Sequence, residues 1–224
     1  MKNAWRGIAA IVRKDLTVEL RTRETLSTSF VFALLVVVIF NFAFELRVDN
    51  AAELAPGVLW VAFTFAGILA LNHSMVQERE SGCMEGLMLA PVERSVIYLG
   101  KFVANSLYML LSEAAVLPLF AVLFGVNVAI PLLWLVILLG TLGFSAAGTL
   151  FSTMTVSTRA REALLPLLLF PATVPILIAA TKSTGLLLDQ RPVSEVYLWI
   201  RLLLAVDTIT LVVAILGFDY VLEE

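Results

Sequence analysis

Charged side chains are scarce in this chain of 224 residues. Lys and Arg contribute 15 and Asp and Glu 18, so only 15% of the residues carry charge, whereas about a quarter do in soluble domains. This shortage excludes an ordinary soluble fold. With 60% apolar residues and a mean hydropathy of +0.97, the chain is expected to be an integral membrane protein.

Cysteine and histidine each occur once, as Cys83 and His73. A single cysteine excludes an internal disulfide. A single histidine without a partner ligand is weak support for haem ligation, although histidine is a common axial donor. We therefore expect no cofactor and no metal ion to be bound directly by the chain.

Motifs for catalysis and for nucleic-acid binding are also missing. The phosphate-binding pattern GxxxxGK[ST] is absent, because Gly100-Lys101 lacks both the preceding glycine and the following hydroxyl. The chain is therefore expected to have no ATP site of its own and not to be an enzyme. No nucleic-acid partner is indicated.

What the chain does have is long apolar blocks. About 20 apolar residues in a helix span roughly 30 Å of hydrocarbon. No alternating apolar strands of the kind found in membrane β-barrels occur. The sequence thus predicts an all-α polytopic membrane protein, one domain over residues 1–224, with six transmembrane helices at 27–46, 55–76, 102–124, 130–154, 163–181 and 198–218.

Lysine and arginine are distributed unevenly about these six segments. Six precede the first segment, three lie between the second and third, and two lie between the fourth and fifth, while the other four lie on the opposite side. Cytoplasmic loops carry the excess of basic residues. Both termini and the 77–101 linker are therefore expected to be cytoplasmic, and the protein to be multi-pass in the membrane.

Residues 1–26 precede the first segment as a predicted amphipathic helix. Its apolar side would face the lipid and its basic side the head groups. Asp15 and Glu19 depart from this pattern because they project into the apolar side. Either this half of the helix packs on protein, or Glu19 pairs with Arg23 four residues later.

Proline and glycine mark two of the membrane segments. Pro166, Pro171 and Pro175 interrupt the fifth segment, which predicts a helix broken by these prolines and buried within protein. After it, residues 182–196 are expected to be an external linker whose residues 185–188 dip back toward the membrane. Small residues in the fourth segment predict close helix packing, namely Gly140, Gly143, Ala147 and Gly148.

The most unusual stretch is the charged linker QERESGCMEGLMLAPVERSVIYLGK, residues 77–101. Ser81 is a candidate N-cap for a short helix, and Pro91 would end it. Met84, Leu87 and Met88 would form an apolar patch, and Met-rich surfaces are typical of partner docking. The alternative is a hairpin that lies on the membrane and does nothing else.

The pattern E-R-E-x-G…E-x-L-x-x-x-P…G-K in this linker resembles the coupling helix of ABC-2-type exporter permeases. APGVLWVAF, ESGCMEGLMLAP, LLGTLGF and LPLLLFPATVPILIAAT narrow the resemblance to the CcmB family, the haem exporter protein B permeases of cytochrome c maturation. RKDLTVELRTR is similar to that family's amphipathic helix. The first segment and the C-terminal tail match only in general character.

The resemblance implies a permease without an ATP site, driven by a CcmA-like ATPase in the bacterial inner membrane. It also implies CcmC-like and CcmD-like membrane subunits, indirect service to a CcmE-like haem chaperone, haem as cargo and a second copy of the chain. Whether the permease moves haem itself or powers release of the loaded chaperone stays open. The ATPase would dock on a set of linker residues: Glu78, Glu80, Gly82, Met84, Glu85, Leu87, Met88 and Pro91.

Two carboxylates, Glu113 and Asp207, fall near the middle of membrane segments. Such groups are costly in lipid and should face protein or water. They are either part of a proton or substrate pathway or neutral carboxyls bonded to a neighbouring helix. Three functions remain as alternatives to a CcmB permease. The first is an ABC-2 exporter of a drug or lipid, and the second is a proton-coupled secondary transporter that uses both carboxyls. The third is a structural subunit that recruits the ATPase without moving anything.

Overall fold

The computed structural model describes residues 2–45, 53–83, 86, 89, 92–158 and 160–221. Within these ranges it has seven long helices and no strand, which confirms the all-α prediction. In chain order they are α1 (Lys2–Thr22), α2 (Glu24–Glu45), α3 (Ala55–Glu80), α4 (Arg94–Phe124), α5 (Pro131–Thr155), α6 (Arg161–Leu188) and α7 (Val193–Val221).

Helices α2 to α7 are long and apolar enough to cross a membrane, as the six apolar blocks predict. Several extend beyond the predicted segments: α3 continues past residue 76 to Glu80, and α4 begins at Arg94 instead of residue 102. The apolar pattern stops where charged residues begin, but the helices continue, and the buried charges Glu78 and Lys101 in these extensions bind each other.

Helices α3 and α5 form the centre of the bundle. In the most apolar window of each, 72% and 67% of the residues are buried, whereas the values for α2 and α7 are 22% and 17%. Helix α2 packs on α3 and α4, and α7 packs on α5 and α6. The short turn after α4, which begins at Gly125, joins α4 and α5 in a tight hairpin.

The predicted break in the fifth segment is wrong. Helix α6 runs without interruption from Arg161 to Leu188 through Pro166, Pro171 and Pro175. Each proline costs one backbone hydrogen bond, yet it fixes φ near −65°, which is close to the helical value. Pro171 and Pro175 are also exposed on this chain and not buried within it.

The predicted linker at 182–196 is much shorter in the structure. Helix α6 reaches Leu188 and α7 begins at Val193, so only residues 189–192 are non-helical. Residues 185–188 are the last turn of α6 and do not dip back separately. The extension is stabilised by a buried hydrogen bond of 3.0 Å, which Trp60 Nε1 donates to Thr184 Oγ1.

The glycines of α5 permit the close packing that the sequence predicts. A Cβ atom placed on Gly140 would lie 2.3 Å from Trp60 Cη2, and one on Gly148 would lie 2.3 Å from Leu71 Cδ1. Both distances are far below van der Waals contact. Helix α5 therefore approaches α3 at these two positions as only glycine allows.

We expect Gly140→Ala to destabilise the protein by about 1–3 kcal/mol, because the added methyl overpacks a buried site. Trp60 is only 4% exposed and is held by Thr184, so it has little room to move. Gly57→Ala is the matched control, since nothing lies within 4 Å of a Cβ there. Thermal unfolding in mild detergent measures both, and equal midpoints for the two variants would contradict this packing.

Candidate functional site

Four charged residues from three helices form a closed ring where α3 ends and α4 begins. Lys14 Nζ lies 3.0 Å from Asp15 Oδ1 and 2.6 Å from Glu78 Oε1. Lys101 Nζ lies 2.8 Å from Asp15 Oδ2 and 2.6 Å from Glu78 Oε2. Each carboxylate thus binds both lysines, and the salt-bridge ring joins α1, α3 and α4.

The salt-bridge ring is largely removed from solvent. Lys101 is 1% exposed, while Asp15 and Glu78 are each 7% exposed. Taking such charges out of water costs several kcal/mol per ion unless partners compensate. Here two cations balance two anions, and each carboxylate oxygen of the ring accepts from a lysine.

Lys14 is the member of the salt-bridge ring nearest to solvent, with 36% of its side chain exposed. Its burial acts to lower the pKa of the ammonium, but the hydrogen bond from Lys14 to Glu78 and the nearby charges of Asp15 and Glu78 outweigh burial. The net effect is a pKa raised above the usual 10.5. Lys14 therefore stabilises the ring fully below pH 10.5, and this contribution is lost as the pH rises through the raised value.

The residues that follow Glu78 fix the end of α3. Arg79 donates a hydrogen bond from its guanidinium to the carbonyl of Val156, just after α5. Glu80 is exposed. Gly82 has φ +67°, in the left-handed region that favours glycine, and it turns the chain away from α3.

The role predicted for Ser81 is wrong. Its hydroxyl donates to the Gln77 carbonyl at 2.7 Å, so Ser81 caps the end of α3. The helical positions that follow begin at Cys83, after Gly82, whose carbonyl accepts from the Gly86 amide. A serine hydroxyl bonds readily to a carbonyl four residues back. That bond is available here because α3 continues four residues beyond its predicted end.

The coupling segment itself is described only in part. Met84, Glu85, Leu87, Met88 and Pro91 lie outside the described residues. The described positions next to these residues are Cys83, Gly86 and Leu89. All three are helical and exposed, and Leu89 is 87% exposed. The docking role of this segment stays a prediction.

Helix α1 packs on protein through its second half. Asp15 is in the salt-bridge ring, and Glu19, 2% exposed, accepts a hydrogen bond of 2.8 Å from the Leu26 amide. Of the two interpretations of these acids, packing on protein is therefore the one the structure supports, and the Glu19–Arg23 pair is wrong. A Cβ atom on Gly100 would lie 2.9 Å from Ile11 Cβ, so glycine allows α1 to lie directly against α4.

Comparison with known proteins identifies the family. The model of the CcmB protein family matches residues 6–223. Among curated proteins, the chain is 30% identical over 196 residues to heme exporter protein B of Pseudomonas aeruginosa, covering 87% of this chain and 88% of that protein.

Two further relatives carry the same name. Heme exporter protein B of Shigella flexneri is 31% identical over 210 residues, 92% of each chain. That of Rhodobacter capsulatus is 32% identical over 171 residues, 75% of this chain and 78% of the relative.

The chain belongs to the CcmB family.

In this CcmB chain, the charged motif residues acquire distinct structural roles. Asp15 lies within RKDLTVELRTR, Glu78 opens E-R-E-x-G, and Lys101 closes the pattern at G-K. Sequence reasoning noted the three stretches separately but did not bring them together. The sequence did contain a signal for this contact, namely charged residues at apolar positions. Asp15 lies on the apolar side of α1, and Lys101 borders an apolar segment.

The intramembrane carboxyls of the CcmB chain have different surroundings. Glu113, 4% exposed, accepts a hydrogen bond of 2.7 Å from Thr141 Oγ1 on α5. Both Asp207 oxygens are buried, and neither has a hydrogen-bond partner among the described residues. A Cβ atom on Gly143 would lie 1.9 Å from Asp207 Oδ1, so this glycine makes room for the carboxyl.

Helix α5 separates these two carboxyls. Thr141, which contacts Glu113, and Gly143, which contacts Asp207, are two residues apart on the helix. Successive residues turn by about 100°, so the two positions point about 200° apart. Glu113 and Asp207 therefore approach α5 from opposite sides, which gives no support to a single pathway that uses both.

His73 lies apart from the salt-bridge ring. Its Nε2 atom is 3.7 Å from Glu24 Oε2 on α2. Among the described residues, no group of three or more His, Cys, Asp or Glu side chains is arranged to hold a metal ion. Nothing in its surroundings favours haem ligation by His73.

We expect Lys101→Met to destabilise the CcmB chain by about 3 kcal/mol, because it removes one cation from between two buried carboxylates. Adding Glu78→Gln should recover part of the loss, since one unpaired charge is then removed. Thermal unfolding in detergent measures both variants.

Lys182→Met is the matched control, because Lys182 is exposed and lies outside the salt-bridge ring. It should leave the unfolding midpoint unchanged. If Lys101→Met were as stable as this control, the salt-bridge ring would not stabilise the junction of the three helices.

Proposed function

We propose that this chain is the membrane permease subunit of an ATP-driven ABC complex for cytochrome c maturation, with haem as the cargo of the complex. Membership of the CcmB family and the name shared by its relatives support this function. The chain itself carries no phosphate-binding motif. ATP would be hydrolysed by a CcmA-like partner, so the chain is a translocation subunit and not an enzyme.

The observation that carries the mechanism is the salt-bridge ring. Glu78 lies in the last turn of α3, directly before the 83–91 segment on which the ATPase is proposed to dock. Its carboxylate binds Lys14 of α1 and Lys101 of α4, and the neighbouring Arg79 binds the end of α5. A displacement of the docked segment would therefore move the ends of four helices together.

We further propose an orientation for this complex in the membrane. The salt-bridge ring and the docking segment would lie at the cytoplasmic surface of the bacterial inner membrane, with both termini on that side. The whole chain would act as one permease domain, next to a second copy and to CcmC-like and CcmD-like subunits. Its ATP-driven movement would serve haem delivery to, or release of, a CcmE-like chaperone.

The other candidate functions have less support. The relatives are named heme exporter protein B, which does not support export of a drug or lipid. A proton-coupled transporter using Glu113 and Asp207 would need a shared pathway, whereas the two carboxyls contact opposite sides of α5. No separate observation favours a purely structural subunit.

We expect the double substitution Leu87→Asp and Met88→Asp to abolish co-purification of the ATPase while the permease stays inserted. Two charges would replace the apolar surface proposed for docking, and burying them unpaired is unfavourable. Pull-down from mild detergent with mass spectrometry identifies the companions.

Asn127→Asp with Ala129→Asp is the matched control. It places two carboxylates on exposed positions of the α4–α5 hairpin, on the proposed opposite face of the membrane. The ATPase should still co-purify with this variant. Retention of the ATPase by the Leu87 and Met88 variant would refute the docking surface.

Deletion of the permease gene in its native host should eliminate c-type cytochromes and spare b-type cytochromes. Only the c-type proteins depend on the proposed maturation route. Difference spectra of membranes, with haem staining of gels, measure both classes, and expression of the intact chain should restore the loss. Loss of both classes would point to a general defect in haem supply and contradict the proposal.

A further inference from the structure

Glu19 is a buried carboxylate that the salt-bridge ring leaves unbalanced. It is 2% exposed, and its Oε1 atom accepts a hydrogen bond from the Leu26 amide. Among the described residues, no cation lies within salt-bridge distance of it. The two lysines of the ring already bind Asp15 and Glu78, so the charge of Glu19 has no balancing cation in the described part of the chain.

A cavity of about 170 Å³ lies beside Glu19 and the salt-bridge ring. Its lining includes Thr25, Ser74, Gln77 and Tyr108. Thr25 is 1% exposed, and its hydroxyl has no hydrogen-bond partner among the described residues. A buried carboxylate without a cation and a buried hydroxyl without a partner thus border the same space.

These groups define the chemistry of a ligand. Buried charges are normally paired, and buried hydroxyls are normally hydrogen-bonded. The ligand should therefore be positively charged and donate hydrogen bonds. The described residues offer no cluster of three or more ligands suited to a metal ion, whereas a primary ammonium has three N–H donors to share among a carboxylate, a hydroxyl and an amide oxygen.

The surroundings indicate where such an ammonium would come from. Arg23 is exposed at the break between α1 and α2, between the cavity residues Glu19 and Thr25 in the chain, and its guanidinium is suited to a phosphate. Basic helices at a membrane surface attract lipid head groups. We propose that this cavity binds the ammonium head group of an aminophospholipid, with the ammonium on Glu19 and Thr25 and the phosphate on Arg23.

Such a lipid would supply the positive charge that balances Glu19 and would hold α1 against α2 and α3. The inference uses the proposed location of α1 at the membrane surface, but it does not depend on which ATPase or cargo the permease serves. ATPase co-purification therefore tests the proposed function separately from lipid binding.

The test compares lipid retention by the full chain and its variants. Each protein is purified from nanodiscs containing equal amounts of phosphatidylethanolamine and phosphatidylcholine, and bound lipid is measured by native mass spectrometry. Phosphatidylcholine is the informative competitor, because its quaternary ammonium has no N–H donor. We expect the unmodified chain to retain phosphatidylethanolamine selectively.

Glu19→Gln should reduce this retention roughly tenfold, because it removes a charge-assisted hydrogen bond, while the glutamine oxygen can still accept from the Leu26 amide. Thr25→Val, which keeps the side-chain shape, should reduce retention by a smaller factor. Glu162→Gln is the control, since Glu162 is exposed on α6 and outside the cavity. It should retain lipid as the unmodified chain does.

Thermal unfolding provides the second measurement. In nanodiscs, phosphatidylethanolamine should raise the midpoint of the unmodified chain relative to phosphatidylcholine alone, and this rise should be absent in Glu19→Gln. Equal retention of both lipids, or equal phosphatidylethanolamine retention by Glu19→Gln, would overturn the proposal. So would an equal stabilisation by soluble ethanolamine in phosphatidylcholine, which would identify a soluble amine as the ligand.

Discussion

The junction of α1, α3 and α4 depends on a balance of buried charge. Lys14 and Lys101 each contact both Asp15 and Glu78 at 2.6–3.0 Å, in a place where an unpaired charge would be strongly destabilising. Because removal of any member would leave a buried charge of the ring uncompensated, the three helices have little freedom to separate. Helix α1 is thereby made part of the bundle.

Rigidity at this junction suits a permease that is moved by a separate subunit. The salt-bridge ring and the bond from Arg79 to Val156 connect four helices directly before the proposed docking segment. Glycine contributes at two points, since Gly100 lets α1 approach α4 and Gly82 provides the left-handed turn out of α3. The E-R-E-x-G and G-K parts of the motif thus have a structural explanation that does not require contact with nucleotide.

Polar groups deeper in the bundle are arranged differently. Glu113 has one hydroxyl donor, and Asp207 fits against Gly143 with no donor among the described residues. These isolated carboxyls lie on opposite sides of α5, whereas the salt-bridge ring is a connected network. The contrast favours the proposed movement from the 83–91 segment over a proton pathway through the bundle.

The sequence by itself determined the six spans, the close packing of α5 and the family, because hydropathy, glycine spacing and motifs are local properties. Tertiary structure alone decided the continuity of α6 through three prolines, the length of α3, and the partners of Asp15, Glu19 and Lys101. Those outcomes depend on contacts between residues far apart in the chain, such as Lys101 and Asp15, which are 86 positions apart. The free energy of a buried charge is set by its neighbours in space, and the order of residues does not reveal them.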